Sequence, residues 1–128
     1  MDKIYHKGKL VGIKISSMDV GSVPITTPKD ALQLLTLKHK KGSVVKPHTH
    51  SPAHRETEAL EECLVVVKGK LRVTLYDERI EPFEHVTLHP GEAMIILTGG
   101  HGVEYLEDSE VFEFKNGPFI DDKQPLSA

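Results

Sequence analysis

A chain with one cysteine cannot close a disulfide on itself, and Cys63 is the only cysteine among these 128 residues. That usage fits a reducing compartment. Long apolar runs are missing too. No stretch approaches the ~20 apolar residues of a transmembrane helix, and the opening MDKIYHKGKL has no apolar core of signal-peptide length. The expectation is a cytoplasmic protein with no membrane partner. Basic runs are equally scarce: the stretch from Lys38 to Lys41 is short and broken by His39. With a net charge of −3 and a pI near 6.2, nucleic acid is excluded as a partner. There is no internal repeat, no low-complexity segment and, in the second half, no 3.6-residue periodicity, which excludes a helical bundle.

What is present reads as one all-β domain over residues 1–128, long enough to bury a core. Leu10 to Ser16 alternates as a half-buried strand. Gly21 to Pro24 reads as a turn. Thr27-Pro28-Lys29-Asp30 has a capping residue, a proline suited to a first helical position and an acidic residue in the first turn. A short helical turn is therefore expected near residues 28–32, followed by a strand from about Gln33 to Lys40. Beyond it, short strands are expected at Val44–Lys46, Cys63–Lys68, Leu71–Tyr76, His85–Leu88, Ala93–Leu97, Gly102–Leu106 and Val111–Lys115, separated by Gly-, Pro- and Asp-containing breaks. Many short strands at this spacing mean an antiparallel sandwich or barrel. Two of them, CLVVV at 63–67 and MIIL at 94–97, are apolar on both faces. Their outer faces need a cover. The N-terminal strand or a partner subunit would supply it, so a homodimer is expected.

The chemistry concentrates between Gly42 and Gly69. The chain has eight histidines, and His48 and His50 stand two apart. On a strand, such a pair shares one face. A carboxylate from the neighbouring strand, Glu62, can approach the same point. Two imidazoles and a carboxylate form a ligand set for a divalent transition metal with positions left open.

The pattern Gly42-x5-His48-x-His50 followed by Glu62-x6-Gly69 resembles the first motif of the cupin superfamily. Pro90-Gly91-Glu92 followed by Gly99-Gly100-His101-Gly102 resembles the second. The resemblance covers roughly residues 32–115, with the N-terminal strand and the tail flanking it. It implies a small antiparallel β-barrel, a jelly roll, with a metal held inside by His48, His50, Glu62 and His101. The last half also resembles small single-domain cupins associated with bacterial surface-polysaccharide and sugar-nucleotide metabolism. Ser51 to Glu61 separate the second histidine from the glutamate, a longer insert than the family's. Glu56, Glu58 and Glu61 therefore stand as alternatives to Glu62. The ion would be Fe, Mn, Ni, Co or Zn.

Tyr105 shares the parity of His101, and His54 lies in a long loop that would overhang a barrel mouth. Either is a candidate proton carrier. Arg72, Thr74 and Tyr76 share one strand face opposite Leu71, Val73 and Leu75; lining a cavity, that face would offer a cation and two hydroxyls to an oxygen-rich ligand, and facing solvent, as expected for Arg72, it would have no functional role. His6, His39, His85 and His89 read as terminal, surface or turn residues. Cys63 points away from Glu62 and reads as a core or interface residue in place of a nucleophile. The expected function is metal-assisted isomerase, lyase or oxygenase chemistry on a small oxygenated metabolite. The rivals are a non-catalytic small-molecule or carbohydrate-binding module, and a metal-free sugar-nucleotide isomerase or epimerase.

Overall fold

The computed structural model describes residues 1–126 as ten strands joined by turns and irregular segments. They are β1 (Asp2–His6), β2 (Lys9–Ile15), β3 (Gly21–Pro24), β4 (Leu35–Lys38), β5 (Glu62–Lys68), β6 (Leu71–Tyr76), β7 (Pro82–Leu88), β8 (Ala93–Ile96), β9 (Gly100–Tyr105) and β10 (Glu110–Lys115). All pairings are antiparallel. A five-stranded sheet runs β1-β2-β8-β5-β10, a three-stranded sheet runs β7-β6-β9, and β3 pairs with β4. None of these sheets closes into a barrel, and no helix long and apolar enough to cross a membrane is found among the described residues.

The two larger sheets pack face to face. Leu64 and Val66 of β5, Met94 and Ile96 of β8 and Val11 of β2 meet Leu71, Val73 and Leu75 of β6 and Val86 and Leu88 of β7 in one buried cluster. Period-2 alternation drives this. In LRVTLY the three aliphatic residues are at most 1% exposed, while Arg72, Thr74 and Tyr76 lie on the other face. Arg72 there reaches Glu104 at 2.9 Å. Each fully buried aliphatic side chain contributes about 1.5–3 kcal/mol.

The doubly apolar strands find their second cover within the chain. Ile95, Leu97, Cys63, Ile13 and Ile15 form a second cluster on the outer face of the five-stranded sheet, against Ile25, Leu32 and Leu34. The segment from 25 to 34 thus lies across β5 and β8. Covering these strands requires no second subunit.

Four local expectations are corrected. The helical turn near 28–32 does not form. Asp30 instead closes a single turn, its amide donating to the Thr27 carbonyl at 3.0 Å and its carboxylate accepting from the Thr27 amide at 2.7 Å. Gln33 then donates to both Thr27 and Asp30 carbonyls, which ends the turn where a helix would continue. Gly21–Pro24 is a strand, because β4 supplies its partner, and β4 itself is shorter than Gln33–Lys40. Val44–Lys46 is not a strand. No strand or helix occurs between β4 and β5, and Val44 and Val45 are 80% exposed. Pro47 and Pro52 deprive this stretch of ladder donors.

Candidate functional site

Glu62 opens β5 and shares the parity of Leu64 and Val66, so it faces the three-stranded sheet. His101 on β9 pairs with Leu75, an interior residue of β6, and so faces the five-stranded sheet. The two side chains meet across the sandwich, with His101 Nε2 2.8 Å from a Glu62 carboxylate oxygen. Glu62 is 15% exposed and His101 28%. The pair is partly desolvated yet reachable from outside, at an open end of the sandwich.

A third group joins them. Lys115 pairs with Glu62 across β10 and β5, and its ammonium lies 3.8 Å from the other Glu62 oxygen. Lys115 also lies 3.6 Å from Glu113. Sequence reading passed over Lys115. The signal was the alternation of EVFEFK, in which placing Phe112 and Phe114 on one face commits Glu113 and Lys115 to the other.

His48 and His50 belong to the irregular, exposed segment between β4 and β5. Their rings face each other edge to face with centroids 5.0 Å apart. His48 Nδ1 lies 2.8 Å from the Lys46 carbonyl oxygen. A carbonyl only accepts, so Nδ1 carries a proton, and in the neutral form of the ring Nε2 holds the lone pair. That is the tautomer a metal ligand needs. The four ligands read from the sequence therefore fall into two pairs, Glu62 with His101 and His48 with His50. Among the described residues no three His, Cys, Asp or Glu side chains are gathered closely enough to hold an ion. The donor chemistry fits a metal, but bringing the pairs together requires the segment to fold over the mouth.

The end of that segment is fastened. The side chain of Asn116 accepts from the Glu61 amide at 2.9 Å and donates to the Ala59 carbonyl at 3.1 Å and the Thr57 hydroxyl at 3.2 Å. Glu61, 5% exposed, points away from Glu62 and accepts from the Leu32 amide at 2.9 Å. Burial pushes the Glu61 carboxyl above its usual range. The Leu32 amide pulls it back in part, and the charge of Asp30 raises it further. Glu56 and Glu58 remain exposed in the segment.

Of the proposed proton carriers, Tyr105 is on the same face as His101 but pairs with Leu71. Four strand residues put it roughly 13 Å along β9 from the pair. His54 is 88% exposed and 3.7 Å from Glu56. Neither is brought to Glu62 and His101. His39 contacts Ser22, His85 contacts Thr74, and His89 contacts Glu92, all on the surface. His6 is different. Its ring stacks on Phe83 with centroids 4.1 Å apart, and its buried Nε2 has no partner among the described residues. It helps to line a cavity of about 490 Å³, with Tyr76, Asp77, Glu78, Thr98 and Gly100 among the other walls. Leu75, which pairs with His101 and shares its face, also lines the cavity, so the cavity borders the candidate site.

A family model described as a domain of unknown function (DUF6016) matches residues 25–88. No curated protein and no solved structure matches the chain.

Proposed function

This chain belongs to the DUF6016 family, and we propose that it holds a divalent transition metal at Glu62 and His101 and acts on a small oxygenated metabolite. His48 and His50 complete the site, carried over the mouth by the segment that runs directly into Glu62. The observation that carries this reading is the 2.8 Å meeting of Glu62 and His101 from opposed sheets. The free Nε2 of His48 supports it. Iron, manganese, nickel, cobalt and zinc all accept imidazole and carboxylate ligands.

The ion would supply Lewis acidity toward a carbonyl or hydroxyl oxygen. The chain's own groups would do the rest. Glu62 and His101 fix position, Lys115 balances the carboxylate charge, and the bordering cavity offers polar groups to an oxygen-rich ligand. Isomerase, lyase and oxygenase chemistry all fall within this reading, as does metal-assisted carbohydrate binding without turnover.

The test is elemental analysis of untagged protein purified without chelator, with the variants His48→Ala and Glu62→Gln alongside. The expected result is one stoichiometric ion in the wild type and loss of most of it in each variant. Absence of metal in all three, with no uptake of added Fe, Mn, Ni, Co or Zn, overturns the reading.

The short Glu62–His101 contact itself favours a second reading, in which no ion takes part. The carboxylate then orients His101 as a general base for a sugar-like substrate. Under this reading His101→Ala and Glu62→Gln abolish turnover, whereas chelator and His48→Ala leave it unchanged.

A further inference from the structure

We propose that the free edge of β10 is the docking surface for a second copy of this chain, pairing antiparallel with that copy's β10 about a two-fold axis at Glu113. β10 ends the five-stranded sheet, and among the described residues no strand lies beyond it. Its six residues include no proline, and Phe112 and Phe114 on its outer face are 60% and 54% exposed. Sheet edges are ordinarily blunted by charge, proline or a bulge, because open amides and carbonyls invite another strand. The opposite edge is blunted by charge, since β1 begins Asp2-Lys3. At both edges the register shift places the extra residue on the inner partner, Val11 of β2 and Val67 of β5, so β10 itself runs without a bulge. Beside it lies an apolar groove of about 210 Å³ walled by Leu32, Leu34, Cys63, Val65 and Phe114.

The pattern of β10 selects a second copy as the occupant. A two-fold axis that pairs a strand with itself stands perpendicular to the sheet, so each face stays on its own side. Residues opposite one another must then share parity. With Glu113 on the axis, Phe112 lies across from the second copy's Phe114 and Phe114 from its Phe112. Four rings form one ladder, the kind of aromatic cross-strand pairing that stabilises sheets. On the inner face, Lys115 sits diagonal to the second copy's Glu113 while already 3.6 Å from its own. The two Glu113 carboxylates face one another across the axis, and each is flanked by two ammonium groups, one from its own Lys115 and one from the second copy's, which offset their repulsion. Moving the axis to Phe112 loses both features, because Phe114 then faces Glu110. The contact is isologous and closes on itself. It is independent of the metal reading.

Sedimentation of the intact protein across concentration is the test, with Phe112→Asp and, on the opposite edge, Tyr5→Asp. The wild type is expected to reach dimer mass, Phe112→Asp to weaken association at least ~30-fold, and Tyr5→Asp to leave it unchanged. Glu113→Cys reports the register. Directly opposed side chains have Cβ atoms about 4.5–5.5 Å apart, near enough for a disulfide. Mild oxidation should therefore link Glu113→Cys dimers but not those of Val111→Cys or Lys115→Cys alone. If Phe112→Asp fails to fold, the cross-link decides. A wild type that stays monomeric at roughly 100 μM, a dimer indifferent to Phe112→Asp, or cross-linking at 111 or 115 in place of 113 overturns the proposal.

Discussion

Single side chains carry three measurable consequences. Burial pushes the Cys63 thiol up to about 11, so little thiolate forms near neutral pH. Modification by a thiol reagent at pH 8 should proceed only as fast as the protein opens, and should become immediate in denaturant. Gly69 has a φ of +89°, and an added Cβ would collide with Ser109 and the Asp108 carbonyl. Gly69→Ala should lower unfolding stability by about 1–3 kcal/mol or more, read by urea titration. This glycine sits in the motif for a steric reason, the turn that β9–β10 presses against. Glu61 is a third case. Its folded carboxyl titrates above the unfolded value, so folding favours its protonated form. That favourable contribution is complete below the usual carboxylate range and is lost as pH rises through the raised folded value. At pH 7 the buried charge is a burden. Glu61→Gln should therefore be more stable than wild type at pH 7, with the advantage vanishing in acid.

At the scale of elements, the strands that run beside a strong partner were legible and those made by tertiary context were not. β6 was readable to its last residue because LRVTLY alternates cleanly and ends at turn-forming Asp77, which accepts from the Arg79 and Glu81 amides. β1 and β3 were not. DKIYH and GSVP have little pattern of their own and become strands because β2 and β4 offer ladders. Of the site, Glu62 and His101 were singled out by the spacing of the motifs that resemble those of cupins, and these two are the ones that meet across the sandwich. The segment bearing His48 and His50 was read as strand, but its prolines keep it irregular. Asn116 governs the end of that segment, and no local pattern announces it, because its partners lie 55 to 59 residues away. Asn116→Ala should speed amide exchange across residues 57–62 and cost about 1–3 kcal/mol through the groups it leaves unpaired, while the exchange of β6 stays as it was.

For the whole molecule, the segment from 25 to 34 turns a two-layer sandwich into a locally three-layered one. Ile95 is fully buried on the side of the five-stranded sheet away from β6 and β7. Ile95→Ala should cost about 2–5 kcal/mol, as much as the same change in the inter-sheet core. A calorimetric or denaturant midpoint compared with Val73→Ala checks this. If that segment were loosely laid on, Ile95→Ala would be nearly neutral.

The strand order has one further consequence, for the ribosome. β8 is threaded between β2 and β5, with Gly12 beside Ile96 on one side and Glu62 beside Ile96 on the other. A growing chain that has delivered β1 through β7 still lacks the strand that joins the two halves of its larger sheet. The segment matched by the family model stops at residue 88, before that strand. Pairing of β2 with β8, strands about eighty residues apart in the chain, is slow to find. Until β8 emerges, the apolar runs of β2 and β5 are exposed together, and this interval during synthesis is when the nascent chain most needs a chaperone.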